Sequence, residues 1–320
     1  MTIKEIKYKY FYFNTFGHKL YTYISKYQNI LGEKIYQPVD LVPFFIVGSG
    51  RSGNTLLRKQ IITRHRGIVI PPETYVIGRM YRLFIQYRSM PWRQKVYMLI
   101  ANIEYHKEFK TFNIDSFNDL ACSLVDLPKE ERSLSKIIAE FYQFYADQKY
   151  SNYVIIGDKT PVNTLYINEI HEIFPQSKFI HIIRDGVDVV YSYLTSGIYE
   201  NCFDAAYRWK YSVKIINDFQ RKFPHLVKVI RYEEFVNNVE KSYEDILNYL
   251  EITHKSNNYG NINNIDFGDI QHHEHHKRVL KKVDNRSVNK GRKKMTDEIK
   301  AKISPIINKT LLNNGYEKVQ

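Results

Sequence analysis

The chain is predicted to fold as a three-layer α/β protein, in which helices cover both faces of a central and mainly parallel sheet. Three observations support this prediction. Short apolar runs alternate with longer helical stretches between residues 44 and 230, which is typical of strands buried on both faces. One of these runs leads directly into a glycine-rich turn and a helix start. A hydrophobic fraction of 43% over 320 residues is also sufficient for one large core.

The first strand-turn-helix unit lies in residues 41–58, which read LVPFFIVGSGRSGNTLLR. Residues 42–47 have the length and apolar character of a buried strand, and Gly48, Gly50 and Gly53 follow. Glycines let the backbone turn its N–H groups inward, and the N-terminus of the next helix adds its positive dipole end. This combination favours the binding of a phosphate or a similar anion.

This turn fits the frame of the nucleotide-binding P-loop, G-x-x-x-x-G-K-[ST], from Gly48 to Gly53 and again at Thr55. Asn54, however, stands where the P-loop has its lysine. A kinase or NTPase needs that ammonium group on the β- and γ-phosphates, and an amide has no charge to supply. The cation of this turn is Arg51 instead. The P-loop kinase or NTPase therefore remains only an alternative function.

A second unit of the same kind lies in residues 178–194, which read KFIHIIRDGVDVVYSYL. Its predicted strand, residues 179–183, ends at Arg184-Asp185-Gly186, and Ser192 follows two helical turns later. A guanidinium group binds a phosphate in a bidentate manner, and a serine hydroxyl can add a hydrogen bond. Asp185 is interpreted as the N-cap of the helix rather than as a metal ligand.

Three further strands are predicted at residues 67–70, 153–156 and 227–230, and polar residues follow each of them. The first leads into Pro71-Pro72-Glu73-Thr74, so Glu73 is expected beside the glycine-rich turn. The second leads into a turn that reads Gly157-Asp158-Lys159-Thr160-Pro161, and the third into Arg231-Tyr232-Glu233.

These motifs, in this order, resemble the sulfotransferases that use 3′-phosphoadenosine 5′-phosphosulfate (PAPS), whose donor loop typically reads R-S-G-T-T-L-L. The resemblance extends from residue 42 to about residue 294. It implies a P-loop NTPase-like sulfotransferase fold. It also implies an enzyme that transfers a sulfuryl group from PAPS, as co-substrate and without a metal, to a hydroxyl of a glycan, lipid or tyrosyl acceptor. Protein-tyrosine sulfotransferases carry a Glu-Thr pair at about the place of Glu73 and Thr74, and the glutamate is their general base.

The resemblance also implies roles for individual residues. The residues implied to hold the 5′-phosphosulfate are Arg51, Ser52, Gly53, Asn54, Thr55 and Leu56. The residues implied to contact the 3′-phosphate and the adenosine, or to close over the nucleotide, are Arg184, Ser192, Tyr232, Ser287, Gly291 and Arg292. The implied catalytic residues are Glu73 as the base, Lys159 at the bridging oxygen of the phosphosulfate, and Arg51.

Several of these residues also have a structural interpretation. Glu73 fits the start of a helix, Lys159 fits an exposed lysine, and residues 290–294 fit a solvated basic loop as well as a clamp on the ligand. Histidine is the base in other branches of the family. Here, His65 is predicted at a helix end and His181 inside a strand, where a packed core histidine is expected.

The chain is predicted to consist of an aromatic and basic segment, residues 1–40, that packs on a single domain, residues 41–320. Residues 78–150 show no strand pattern, and helices are predicted at 79–84, 95–103 and 134–145. This helical insertion is the candidate region for acceptor recognition. Residues 257–264 are predicted to form a loop.

The net charge is +13, and residues 277–320 contain thirteen Lys or Arg against four Asp or Glu. A basic tail suits nucleic acid or an anionic membrane, so a non-catalytic nucleotide or nucleic-acid binding module is the third class of function. A polyanionic donor such as PAPS suits the basic tail equally well, so no nucleic acid is expected. Peripheral contact with a membrane stays an open alternative. Two cysteines indicate no disulfide framework, and the histidine cluster at 272–276 lacks a zinc-site spacing. With no signal peptide and no apolar run of ~20 residues, a cytoplasmic protein is predicted.

Overall fold

The computed structural model of this chain describes residues 32–252 and 283–319. Its sheet has five strands, and every adjacent pair is parallel. The strand order is β2-β3-β1-β4-β5. The strands are β1 (Phe44–Val47), β2 (Ile68–Val69), β3 (Ile155–Lys159), β4 (Phe179–Ile183) and β5 (Val227–Arg231). The prediction of an α/β fold with a parallel sheet is confirmed.

Helices cover both faces of this sheet. They are α1 (Asn54–Arg64), α2 (Ile77–Gln86), α3 (Trp92–Glu104), α4 (Asn118–Val125), α5 (Leu134–Lys149), α6 (Ile167–Ile173), α7 (Gly186–Thr195), α8 (Cys202–Lys222), α9 (Tyr232–Asn237), α10 (Val239–Leu250), α11 (Lys290–Lys294) and α12 (Asp297–Asn313). Within the two described ranges, no helix combines the length and the apolar character needed to cross a bilayer.

The alternation of side chains along β1 explains the three layers. Phe45 and Val47 belong to the hydrophobic cluster that includes α2 to α6, whereas Phe44 and Ile46 belong to the cluster that includes α1 and α10. Successive side chains of a strand point to opposite faces, so a continuous apolar run buries both of them. The insertion, residues 78–150, consists of helices and turns and lies between β2 and β3. Helix α4 within it was not predicted.

The end of β3 differs from the prediction. The strand was expected at residues 153–156 and the next residues in a turn, but β3 extends through Asp158 and Lys159. Gly157 explains this difference, because it lies opposite Phe44 of β1, and a Cβ atom there would come within 2.4 Å of the Phe44 ring. Glycine thus allows this strand to continue beside a large aromatic residue. Lys159 consequently lies at the carboxyl edge of the sheet.

The described part of the N-terminal segment contacts the helical insertion. The Gln37 amide N–H donates to Ser135 Oγ at 2.9 Å, and that hydroxyl donates to the Gln37 carbonyl at 3.0 Å. The fully buried Lys95 pairs with Glu33 and also donates to the Arg88 carbonyl at 3.0 Å. Residues 1–31, the predicted loop at 257–264 and the histidine cluster at 272–276 lie outside the described residues.

His181 is a core residue of β4, as expected from the sequence. It is buried, and neither ring nitrogen has a hydrogen-bond partner among the described residues. Burial without a partner disfavours the charged imidazolium and lowers the pKa of His181 to about 3. The histidine is therefore neutral in the folded protein over the physiological pH range.

We expect this histidine to make the protein less stable in mild acid. The unfolded state takes up a proton below about pH 6.5 and the folded state only near pH 3, so the free energy of unfolding falls as the pH drops through that window. Between pH 7 and pH 5, the loss amounts to about 2 kcal/mol. Urea denaturation at both pH values should show a smaller loss for His181→Val than for the wild type. The exposed His225 provides the control His225→Gln. If His181→Val lost as much stability as the wild type, this expectation would be wrong.

Candidate active site

The candidate site lies at the carboxyl end of β1, in the middle of the sheet. From β1 the chain passes first to β2 and β3 on one side and then to β4 and β5 on the other. The carboxyl ends of β1, β3 and β4 therefore open at the same edge, around this reversal of strand order. Ligands of open α/β sheets commonly bind at such a switch point.

The glycine-rich turn after β1 has the tight curvature that its sequence predicts. Arg51 and Gly53 have φ angles of 67° and 101°, in the left-handed region that L side chains rarely adopt. A Cβ atom on Gly53 would lie 2.5 Å from Tyr232 Cδ2, so glycine is required there on two grounds. Gly53 is also the N-cap of α1 and offers no side-chain acceptor. The first N–H groups of α1 are thus not capped by Gly53 and suit an anion.

Asn54, which replaces the usual lysine of a P-loop, helps to close the turn. Its Nδ2 donates to the Ser49 carbonyl at 2.8 Å, and the Ser52 amide N–H donates to the same carbonyl at 3.2 Å. Its Oδ1 is buried and has no hydrogen-bond partner within the described residues. Leu56, by contrast, packs against the hydrophobic cluster on its side of the sheet.

Arg51 of this turn and Arg184, which follows β4, lie close together. Arg184 Nη1 donates to the carbonyl oxygen of Arg51 at 3.2 Å, and Arg51 Nε donates to Ser192 Oγ at 3.1 Å. Burial lowers the pKa of the Arg51 guanidinium, and the nearby charge of Arg184 adds to this effect. Two cations at one half-buried location make a strong site for an anion. The structure thus brings Arg51, Arg184 and Ser192 together.

The C-terminal motif, which comprises Ser287, Gly291 and Arg292, also contacts Arg184. Arg184 Nη2 donates to the Ser287 carbonyl at 2.6 Å and to Asp188 Oδ2 at 3.3 Å. The Gly291 amide N–H donates to the other oxygen of Asp188 at 2.6 Å. Tyr232 lies under the guanidinium, with its ring centroid 4.4 Å from Arg184 Cζ. These three direct partners, together with the Arg51 carbonyl, hold the guanidinium in one orientation at the edge of the turn.

Arg292 has a different environment. Its Nε donates to Asp185 Oδ2 at 2.7 Å, while its terminal nitrogens donate to the carbonyls of Glu317 and Lys318. Residues 290–294 form the short helix α11 rather than a loop. Asp185 is the N-cap of α7, since its Oδ1 accepts from the Val187 amide N–H at 2.8 Å. This cap interpretation of Asp185 is confirmed.

Lys159 and Glu73 form a buried ion pair on the other side of the turn. Lys159 Nζ donates to Glu73 Oε1 and lies 3.4 Å from Thr55 Oγ1, in the first turn of α1. The Lys159 and Glu73 side chains are only 0% and 6% exposed. Burial excludes the interpretation of Lys159 as an exposed lysine. Glu73 precedes the first residue of α2, Ile77, by four positions, so it does not start that helix.

A polar network that the sequence did not reveal fixes the backbone next to Glu73. Asp158 Oδ2 accepts from Thr74 Oγ1 at 2.8 Å and from the Tyr142 hydroxyl at 2.9 Å, and its Oδ1 accepts from Asn163 Nδ2 at 2.8 Å. The Thr74 amide N–H donates to Thr160 Oγ1 at 2.9 Å. Burial raises the pKa of Asp158, and the bonds from Thr74 and Tyr142 oppose that shift. Thr74 is therefore anchored twice, which positions Glu73.

The two histidines considered as bases have other roles. His65 is the C-cap residue of α1 and its Nδ1 accepts from the Gly67 amide N–H at 3.2 Å, whereas His181 lies in the core. No group of three or more His, Cys, Asp or Glu that could hold a metal ion occurs in residues 32–252 and 283–319. The described site thus contains an anion cradle, a buried lysine and one carboxylate beside it. This set of groups can bind a charged donor and accept a proton.

Comparisons with known proteins identify similar sequences and folds. The model of the sulfotransferase family matches residues 43–256. The chain is similar to the sulfotransferase domain from the Synechococcus PCC 7002 olefin synthase, with a TM-score of 0.54 and 20% identity over 83% of this chain and 93% of that one. It is also similar to the sulfotransferase domain from the curacin biosynthetic pathway, with a TM-score of 0.52 and 18% identity over 87% of this chain and 100% of that one. At these identities, the structural similarity establishes the fold. No curated protein sequence matches this chain.

Proposed function

Because this chain belongs to the sulfotransferase family, we propose that it transfers a sulfuryl group from PAPS to the hydroxyl group of an acceptor, with Glu73 as the general base. One observation carries this proposal. Arg51, Arg184, Lys159 and Glu73 come from separate parts of the sequence and converge at one edge of the sheet.

The two arginines suit the two anionic ends of PAPS. The turn from Gly48 to Gly53 and the start of α1 hold the 5′-phosphosulfate, and Arg184 with Ser192 binds the 3′-phosphate. The direct contact between Arg184 and the Arg51 carbonyl supports this assignment, because it joins the arginine that follows β4 to the turn that follows β1. Arg184 Nε is buried without a hydrogen-bond partner among the described residues, which suits a phosphate oxygen.

Lys159 and Glu73 would divide the chemistry of transfer between them. The acceptor oxygen attacks sulfur as the bond from sulfur to the bridging oxygen breaks, and adenosine 3′,5′-bisphosphate leaves. Glu73 accepts the proton of the acceptor, while Lys159 stabilises the charge that develops on the bridging oxygen. The distance of 3.4 Å between Lys159 Nζ and Thr55 Oγ1 supports this role, since it places the ammonium group at the mouth of the anion cradle.

The acceptor is proposed to lie against the helical insertion, residues 78–150, which adjoins Glu73 through α2. Glycan, lipid and tyrosyl hydroxyls remain the candidate acceptors. We also propose that residues 41–320 form one catalytic domain on which residues 1–40 pack, and that the protein works in the cytoplasm.

Isothermal titration calorimetry tests the donor assignment. Adenosine 3′,5′-bisphosphate should bind without magnesium and roughly 10- to 100-fold more tightly than ATP with magnesium, because one charge-assisted contact to the 3′-phosphate is lost with ATP. Transfer of radiolabelled sulfuryl from PAPS to a panel of hydroxyl acceptors then tests the activity. A magnesium-dependent preference for ATP would instead support a kinase or NTPase, and binding without any transfer would support a non-catalytic module.

A further inference from the structure

Tyr75 contacts the proposed base, although no sequence motif singled it out. Its hydroxyl donates a hydrogen bond to Glu73 Oε2, while Lys159 donates to Oε1. Both oxygens of this carboxylate are therefore engaged. A general base needs one oxygen within hydrogen-bond reach of the hydroxyl that it deprotonates. Since the ammonium group of Lys159 holds Oε1, the acceptor has to approach Oε2, where the Tyr75 hydroxyl lies.

The backbone of Tyr75 is strained at this position. Its φ angle is 56°, a left-handed conformation that a bulky L residue rarely adopts. The neighbours on both sides are fixed, because Thr74 is bonded to Asp158 and Thr160, and Val76 is buried in the core. Strain of this kind persists where the surrounding structure imposes it, and it is concentrated at functional sites.

The ring of Tyr75 borders the solvent and the helical insertion. Tyr75 is 38% exposed, and its ring stacks on His106 with a centroid distance of 5.4 Å and an interplanar angle of 16°. His106 follows α3, so this aromatic pair joins the base to the region expected to recognise the acceptor. The hydroxyl end of the ring thus lies on the buried carboxylate, while the ring itself lies at the surface.

We propose that the Tyr75 hydroxyl occupies the position of the acceptor hydroxyl in the resting enzyme, and that it keeps water from Glu73 until an acceptor displaces it. This inference rests on the proposed role of Glu73. A phenol and an acceptor hydroxyl are both O–H donors, so one replaces the other on Oε2 without loss of a hydrogen bond. The acceptor that suits this position carries its hydroxyl on a ring, whose flat face packs beside Tyr75 and His106.

Removal of the Tyr75 hydroxyl should therefore promote hydrolysis of the donor. In that side reaction, a water oxygen attacks sulfur, the bond from sulfur to the bridging oxygen breaks, and Glu73 takes one proton from the water. Sulfate and adenosine 3′,5′-bisphosphate are then released. Since no acceptor is required, the reaction can be measured before the natural acceptor is identified.

The test compares PAPS hydrolysis by the wild type and by Tyr75→Phe without acceptor. The substitution keeps the aromatic ring and removes only the hydroxyl, and hydrolysis should rise roughly 3- to 10-fold, which corresponds to one lost hydrogen bond. Affinity for adenosine 3′,5′-bisphosphate should stay unchanged. Tyr87→Phe is the matched control, because Tyr87 is also 38% exposed, and it should hydrolyse PAPS at the wild-type rate. In the double variant Glu73→Gln/Tyr75→Phe, the increase should disappear.

The outcomes separate this inference from the proposed function. If Tyr75→Phe binds the bisphosphate normally and hydrolyses PAPS no faster than the wild type, the role of Tyr75 is wrong while the sulfotransferase assignment stands. If neither the wild type nor any variant binds the bisphosphate, the role of Tyr75 and the proposed function are both wrong. A sulfuryl group found on Tyr75 by mass spectrometry after incubation with PAPS would support the inference, since it would place the phenol oxygen in line with the sulfur.

Discussion

Replacement of Glu73 by glutamine should lower kcat by about 10²- to 10⁴-fold, the usual contribution of a general base. Glutamine has nearly the same shape; its one amide oxygen can keep the hydrogen bond from Lys159, and its NH2 group can donate to the Tyr75 hydroxyl, so the geometry of the site should be kept. Its amide cannot take up the proton of the acceptor near neutral pH. Affinity for adenosine 3′,5′-bisphosphate should change little, because the role proposed for Glu73 is towards the acceptor rather than the nucleotide. Single-turnover transfer of radiolabelled sulfuryl, together with calorimetry of the bisphosphate, measures both effects.

The control for this experiment is Glu251→Gln. Glu251 is an exposed carboxylate that pairs with Lys178 at the surface, so its substitution should leave transfer at the wild-type rate. Full turnover by Glu73→Gln would show that another group acts as the base. A loss of bisphosphate binding equal to the loss of turnover would show instead that Glu73 mainly supports the donor site.

Replacement of Arg184 by alanine should weaken binding of adenosine 3′,5′-bisphosphate by roughly 30-fold or more, as expected when one partner of a buried charge pair is truncated. The same variant should bind adenosine 5′-monophosphate almost as the wild type does, because that nucleotide lacks the 3′-phosphate. The bisphosphate affinity of Arg184→Lys should lie between those of the wild type and Arg184→Ala. Lysine keeps the charge but loses the fork of donors that reaches Arg51 and Ser287.

The comparison of the two nucleotides decides what Arg184 does. An equal loss for both would mean that Arg184 only holds the turn and the C-terminal motif in place. Arg221→Ala serves as the control, because Arg221 is 77% exposed and its salt bridge to Asp218 lies at the surface. This variant should bind both nucleotides as the wild type does.

The strands of the sheet were predictable where buried apolar runs are uninterrupted. Residues 179–183 were predicted as a strand, and β4 has these bounds. The prediction for β3 stopped too early, because Gly157 and Asp158 normally indicate a turn, and only their position beside β1 keeps them in the sheet. Helix α4 was missed because only three of its eight residues are buried, so its sequence shows little helical periodicity.

The residues of the candidate site were predictable where they form contiguous motifs, such as the turn around Arg51. The supporting residues were not, because Tyr142 and Thr74 reach Asp158 from positions 16 and 84 residues away in the sequence. Tyr75 adjoins the Glu73-Thr74 pair, but no periodicity or charge pattern sets it apart. Asp188, in the first turn of α7, pairs with Arg184, which precedes that helix, and this ion pair was not predicted from the sequence.

The contact between Arg184 and the Ser287 carbonyl has a consequence for biosynthesis. These residues are 103 positions apart, and Gly291, which completes the bonding of Asp188, comes later still. A ribosome translates them several seconds after Arg184, at about 5–20 residues per second. The glycine-rich turn is thus synthesised long before Arg184 can be held beside it. We therefore expect the chain to reach its full affinity for the nucleotide only after Gly291 has been translated.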